Sequence, residues 1–301
     1  MAGTGHRLIL LNACQGRDRL ESLAFHPGHA MPPAKPRADS LGKRLADFAD
    51  AQLAQAAQCL SLPDQDRHEG IHEARKCLRR TRSALALGGN ALGPHTARLD
   101  RDLQRLCRGL SRLRDAHAVV ETLERLLAEA APAAIPHLQS ALALAHAQRD
   151  TQLAQALSSD PQFRRRCQRL QRARQQLAQL DWNGVEDDVV TRAFRRSERR
   201  VRKAGKRVDR HPERPLAWHA YRRRLRRLRQ QQHLLNQVEP ALCQPLEKEI
   251  KQHAVALGQA QDYALLLRRC GRRSPFPQAL RNVLRPIARQ RLRQARAALH
   301  P

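Results

Sequence analysis

The chain has 301 residues, 41% of them apolar, which is enough to bury a core in one large helical domain or two smaller ones. Its 56 Lys and Arg oppose 28 Asp and Glu, giving a formal net charge of +28 and an isoelectric point near 11.5. Such a field repels itself unless an acidic partner neutralises it, and the longest apolar run near the start, Leu8 to Leu11, is too short for a membrane span or a signal-peptide core.

Only seven of the cationic residues are lysines. Arginine's planar fork grips phosphate oxygens in pairs and is not switched off by deprotonation. The seven cysteines form no CxxC pair and several fall on apolar helix faces, which points to buried thiols in a reducing cytoplasm.

In chain order, residues 1–38 combine a short apolar stretch with Pro27, Gly28, Pro32, Pro33 and Pro36 and read as an arm ending in a stiff linker. From Asp39 the sequence is rich in Leu, Ala, Gln and Arg at helical spacing, with almost no β-branched alternation, so the fold class is all-α. Breakers at Leu62-Pro63-Asp64, Gly88-Gly89, Gly93-Pro94, Pro132 with Pro136, Ser158 to Pro161, Trp182 to Gly184, His211-Pro212, Pro240 and Ser274 to Pro277 leave about ten helices joined by the short loops of antiparallel bundles.

Two of these helices match. His72, Arg75, Lys76, Leu78, Arg79, Arg80 and Arg82 recur as His219, Arg222, Arg223, Leu225, Arg226, Arg227 and Arg229, a displacement of 219 − 72 = 147. The same displacement carries Leu110 and Asp115 onto Leu257 and Asp262, although several loops intervene. Two pseudo-symmetric bundles are the architecture this repeat implies.

At about 100° per residue the histidine and basic positions fill one helix face, with Ile71, Ala74, Leu78 and Leu85 opposite in the first copy and Trp218, Tyr221, Leu225 and Leu228 in the second. A charged run is ordinarily a solvated face, but solvated faces mix signs. Here the face is unmixed over three turns, twice, and like charges oppose each helix by roughly 0.2–0.5 kcal/mol per pair. Retaining that cost twice implies a polyanion that offsets it.

On the preceding helix, Arg195, Arg196, Arg199, Arg200, Lys203, Lys206 and Arg207 extend the basic character, and Arg199, Arg200, Lys203, Lys206 and Arg207 are candidates for peripheral contacts. They are equally readable as solvated surface, since Glu186, Asp187 and Asp188 begin that helix.

Two readings of His72 and His219 stay open. Each is placed at the first turn of its helix, where free N–H groups favour an anion and an imidazolium adds a donor, or else each caps a carbonyl or packs between bundles. Asp115 and Asp262 lack a partner base, acid or metal in the repeat and read as structural, paired with an arginine or capping the following helix.

The duplicated pattern His-x-x-Arg-Lys/Arg-x-x-Arg-Arg-x-Arg, each copy followed by Arg/Gln-Asp, resembles the CHAD family, the conserved-histidine α-helical domain. The similarity runs from about Ser40 to the C-terminus and includes Pro161 to Arg165 and Arg202 to Lys206. It implies two four-helix bundles flanking a basic groove, at about 39–182 and 183–301, and binding of inorganic polyphosphate by the histidines and basic residues of the two matched helices. Some members associate with polyphosphate granules. Members are often fused to a triphosphate-hydrolysing tunnel domain, which 38 residues cannot hold. One departure is Gln259-Ala-Gln261, where the first copy has Arg112-Leu-Arg114.

His68-Glu69-Gly70-Ile71-His72 matches the HExxH zinc motif. The displacement of 147 places Pro215 and Leu216 opposite His68 and Glu69, Gly70 weakens the helix where ligand geometry must be fixed, and a dense arginine face repels a dication. No metal, cofactor or catalytic constellation is expected, so the chain reads as a binder rather than an enzyme. Non-specific nucleic-acid binding is the main rival, although nine aromatic residues make stacking platforms scarce. A scaffold for acidic protein partners is the third reading.

Overall fold

The computed structural model describes residues 39–243, 248–272 and 274–299. The arm expected over residues 1–38, with Cys14, falls outside them. The described residues carry ten α-helices and no strand: α1 (Leu41–Leu60), α2 (Arg67–Gly88), α3 (Thr96–Gly109), α4 (Ser111–Ala128), α5 (Ile135–Ser159), α6 (Arg164–Ala178), α7 (Asp187–Arg210), α8 (Pro215–Val238), α9 (Lys248–Arg269) and α10 (Gln278–Ala297). None is long and apolar enough to cross a membrane.

Local chemistry sets most of the boundaries. The Ser40 hydroxyl caps α1 by accepting from the Lys43 N–H at 3.2 Å. Gly89, at φ 56°, closes α2 in a conformation that side-chain-bearing residues avoid. Asp160 starts α6 by accepting from the Arg165 N–H at 2.8 Å and pairing with Arg166 at 2.7 Å. One break went unseen in the sequence: α3 and α4 separate at Gly109 and Leu110 with no proline to announce it. Conversely, Pro286 lies inside α10 without ending it.

Two hydrophobic cores result. One joins α1, α2, α3, α6, α7 and α8 with the start of α4, Leu153 of α5 and Ala256 and Leu257 of α9, and includes Leu45, Leu78, Leu225 and Leu234. The other joins α4, α5, α9 and α10, and includes Leu123, Leu138, Leu266 and Leu284. The expected division near residue 182 therefore does not separate the cores, because each draws helices from both halves. A helical hairpin cannot cover its own apolar face, so α1 and α2 close against α7 and α8, and α4 and α5 close against α9 and α10.

The repeat is geometric as well as sequential. Ser83 donates to the side-chain carbonyl of Gln230 at 3.2 Å, and 230 − 83 = 147. Arg79 feels the charge of Arg222 while its counterpart Arg226 feels that of Arg75, the counterpart of Arg222. Such reciprocal contacts mark a two-fold relation. At α1 and α7 the displacement becomes 148: the buried Gly42, Leu45, Ala49, Leu53, Ala56 and Leu60 correspond to Val190, Ala193, Ser197, Val201, Ala204 and Val208. The connection before the first copy is one residue longer.

Gly70, the weak point of the zinc-like motif, lies where α2 crosses α1. A Cβ there would stand 2.1 Å from the Cys59 carbonyl oxygen. Gly70→Ala is expected to destabilise the fold by about 1–3 kcal/mol, read from urea unfolding. An unchanged midpoint would show that the crossing is not tight.

Candidate functional site: an arginine-lined cavity shared by both halves

The matched helices α2 and α8 pack on each other in the first core, and their basic faces meet in one cavity of about 670 Å³. From α2 it takes His72, Arg75, Arg79 and Arg82, and from α8 His219, Arg222, Arg223, Arg226 and Arg227. Lys76, Arg80 and Arg229 do not line it. Lys76 is paired with Glu73 at 2.7 Å, Arg80 turns towards Gln52 of α1, and Arg229 is exposed. The basic arc on each helix is about 160° wide at 100° per residue, so one cavity meets only part of it. On α2 that part ends at Arg82, whereas α8 is rolled to present Arg223 and Arg227.

Arg200 of α7 lines the cavity; Arg199, Lys203, Lys206 and Arg207 stand exposed outside it. Residues beyond the motif complete the wall: Gln104 and Arg108 of α3, Ser111, Arg114 and Asp115 of α4, Arg224 and Gln230 of α8, and Gln261, Asp262 and Arg268 of α9. Arg224 sits inside the repeated helix but outside the matched positions. Arg108 flanks the unannounced break at Gly109. Neither carried a sequence signal strong enough to single it out.

Twelve arginines against two aspartates make the lining strongly cationic, and pairing separates them into two groups. Arg82 forms a two-pronged pair with Asp100 at 2.8 and 3.0 Å, and Arg114 pairs with Glu121 at 2.9 Å. Arg75 donates to the Cys107 carbonyl and, at 2.8 Å, to the Ser111 hydroxyl. These three are held in place. By contrast, Arg79, Arg222, Arg226 and Arg227 have no ion pair with any described residue, and the Arg79 Nε is buried with no partner.

Burial, then the neighbouring arginines, pushes Arg79 down to about 10 and Arg226 to about 9. Burial likewise lowers Arg222 and Arg227. All four remain charged near neutrality, and partly desolvated like charges without counterions cost the fold free energy.

The histidines correct an expectation. His72 is the sixth residue of α2 and His219 the fifth of α8, beyond the first turn and its four free N–H groups. Burial, followed by the charges of Arg114, Lys76 and Arg79, holds His72 down at about 3, so it is a neutral imidazole. His219 is lowered chiefly by burial and stands 3.4 Å from the Gln261 side-chain oxygen. Gln261 occupies the position of Arg114 in the first copy, so the cationic wall on α4 is answered on α9 by a neutral amide and by Arg268.

Asp115 and Asp262 both line the cavity from within helices, so neither caps a following helix. Asp262 pairs with Arg125 at 3.2 Å, and burial raises its pKa against the pull of Arg125 and Arg222.

The zinc-like pair comes apart in role. His68 stacks on His117 with centroids 5.4 Å apart and faces Asp150 at 3.5 Å, while His72 lines the cavity. Among the described residues no three His, Cys, Asp or Glu side chains gather as metal ligands.

The fold and the cavity define a class: an all-α repeat protein whose two copies interlock and share one arginine-lined cavity. The CHAD domain family model matches residues 47–271, and the chain belongs to that family, which is associated with polyphosphate. Two solved structures are similar to it. The CHAD domain from the plant Ricinus communis aligns with a TM-score of 0.62 at 21% identity, covering 91% of this chain and 97% of that one. PptA from Streptomyces chartreusis aligns at 0.61 and 19%, covering 87% and 98%. A search of curated protein sequences gave no match.

Proposed function

We propose that this protein binds inorganic polyphosphate in the shared cavity and holds it without converting it. The observation that carries the reading is the set Arg79, Arg222, Arg226 and Arg227, charged, partly buried and in no ion pair with a described residue, with Asp262 and Asp115 acting on Arg222, and Asp100 on Arg227, only through their charge. A polyanion supplies the missing counterions, and bidentate guanidinium contacts match phosphate oxygens.

Two features favour polyphosphate over nucleic acid. Among the described residues no Phe, Tyr or Trp lines the cavity, and its only aromatic rings are the imidazoles of His72 and His219, so bases would find little stacking platform. The cavity is also built about a two-fold relation. A linear polyphosphate reads the same in both directions, whereas a nucleic-acid strand has a direction that such a site does not match. The cellular setting this reading implies is the cytoplasm, on polyphosphate granules.

The test is a competition titration of long-chain polyphosphate against double-stranded DNA at near-physiological salt. Polyphosphate is expected to displace DNA, and log affinity to fall linearly with log salt with a slope of several charges. DNA binding as tightly as polyphosphate, or more tightly, overturns the assignment.

A further inference from the structure

Beside Ser197, Arg200 is the one basic residue of helix α7 that lines the cavity. It belongs to a row. Arg196, Arg200, Lys203 and Arg207 follow one another at spacings of four, three and four along one edge of α7, a run of about 16 Å. All four are exposed, and none has an ion pair with a described residue. Arg223 and Arg224 of α8 are likewise exposed as well as cavity-lining. Arg200 also lies close enough to Arg227 for their charges to interact.

The structure thus holds a basic row that touches the cavity at Arg200 and continues onto open surface on both sides of it, to Arg196 in one direction and to Lys203 and Arg207 in the other. The corresponding helix α1 has nothing like it: Phe48, Gln52, Gln55 and Cys59 stand at the positions displaced by 148. The cavity is therefore flanked by a basic edge on one side only, an asymmetry that the internal repeat does not account for.

We infer that this edge of α7 is a second binding segment for the same polyphosphate chain, gripping the phosphates that leave the cavity past Arg200, and that it sets a preference for long chains. The inference rests on the polyphosphate reading of the cavity. Short chains fill the cavity alone, and long ones gain the additional contacts of the row, which adds affinity as a tethered second site does.

The experiment compares two triple variants of equal charge change: Arg196→Glu with Lys203→Glu and Arg207→Glu on α7, and Arg165→Glu with Arg169→Glu and Arg172→Glu on the exposed face of α6. Circular dichroism confirms that both fold. Each is titrated with tripolyphosphate and with long-chain polyphosphate.

The α7 variant is expected to lose roughly 10- to 100-fold in long-chain affinity while its tripolyphosphate affinity stays within about twofold, a margin small against one lost phosphate contact. The α6 variant should lose far less for long chains. Equal long-chain losses from both variants would make the effect bulk charge and overturn the track. Loss of tripolyphosphate binding in the α7 variant would place these residues in the cavity itself and overturn it too. Unmodified protein that binds long chains but not tripolyphosphate would refute the division into cavity and track. Unmodified protein that binds neither probe instead sinks the reading of the cavity.

Discussion

Replacing Arg79 and Arg226 together by methionine is expected to make the protein more stable and a much poorer binder. The two guanidinium groups are repeat counterparts and lie in one cavity; burial lowers the pKa of both, and the charge of Arg79 adds to the lowering of Arg226. Without carboxylate partners they contribute desolvation and repulsion to the ligand-free fold, and exchanging buried charge for apolar volume commonly gains about 1–4 kcal/mol. Bound polyphosphate would reverse that balance. Two charge-assisted contacts of about 1.5–3 kcal/mol each then disappear, a loss of at least roughly a hundredfold in affinity.

Thermal unfolding without ligand and titration with long-chain polyphosphate read the two effects separately. A variant that loses stability while binding normally would mean that these arginines are structural. Replacing the exposed Arg289 and Arg293 of α10 by methionine, the same charge change outside the cavity lining, is the matching control and should leave affinity nearly unchanged.

Binding should tighten as pH falls, and the ligand-free fold should weaken over the same range. His72 is held at about 3, well below its ordinary 6.5, by burial and by Arg114, Lys76 and Arg79, with Glu121 pulling the other way. Its folded pKa is therefore lower than its unfolded one. The unfolded chain takes up the proton first, and stability present above about 6.5 is progressively lost as pH drops towards 3. His117, held down to about 4 chiefly by burial, adds to the same loss.

An anion in the cavity neutralises the arginines that depress His72 and raises its pKa, so binding takes up a proton. Affinity should rise by at most about tenfold per pH unit for each proton taken up. Calorimetry in buffers of different ionisation enthalpy measures that uptake directly. A His72→Asn, His219→Asn double variant is expected to flatten the profile, because both imidazoles lie in the cavity and both are depressed. A flat profile in the unmodified protein would rule out the linkage.

The displacement of 147 was legible because His, Leu and Asp recur among common arginines. The apolar faces were legible because Ile71, Ala74, Leu78 and Leu85 keep helical spacing, and all four are buried. Helix ends marked by proline or glycine pairs were readable; the break at Gly109 was not, because a lone glycine after arginine carries no turn signature. The shift to 148 at α1 and α7 escaped detection for a related reason. α1 is Ala- and Gln-rich and α7 Arg-rich, so only their buried positions correspond.

By itself, the sequence determined the all-α class, the duplication, the excess of arginine and the candidate helices. All of these follow from local propensity, spacing and composition. Only the tertiary structure decided which arginines share a cavity, which are neutralised by Asp100 or Glu121, and that His72 is neutral rather than cationic. Pairing and desolvation depend on what lies across from a side chain, and here that comes from other helices of the same half, as with Arg82 and Asp100, and from the opposite half, as where Arg222 acts on Arg79. The interlocking of the two halves turns two similar basic helices into one site, and no periodicity within either helix records it.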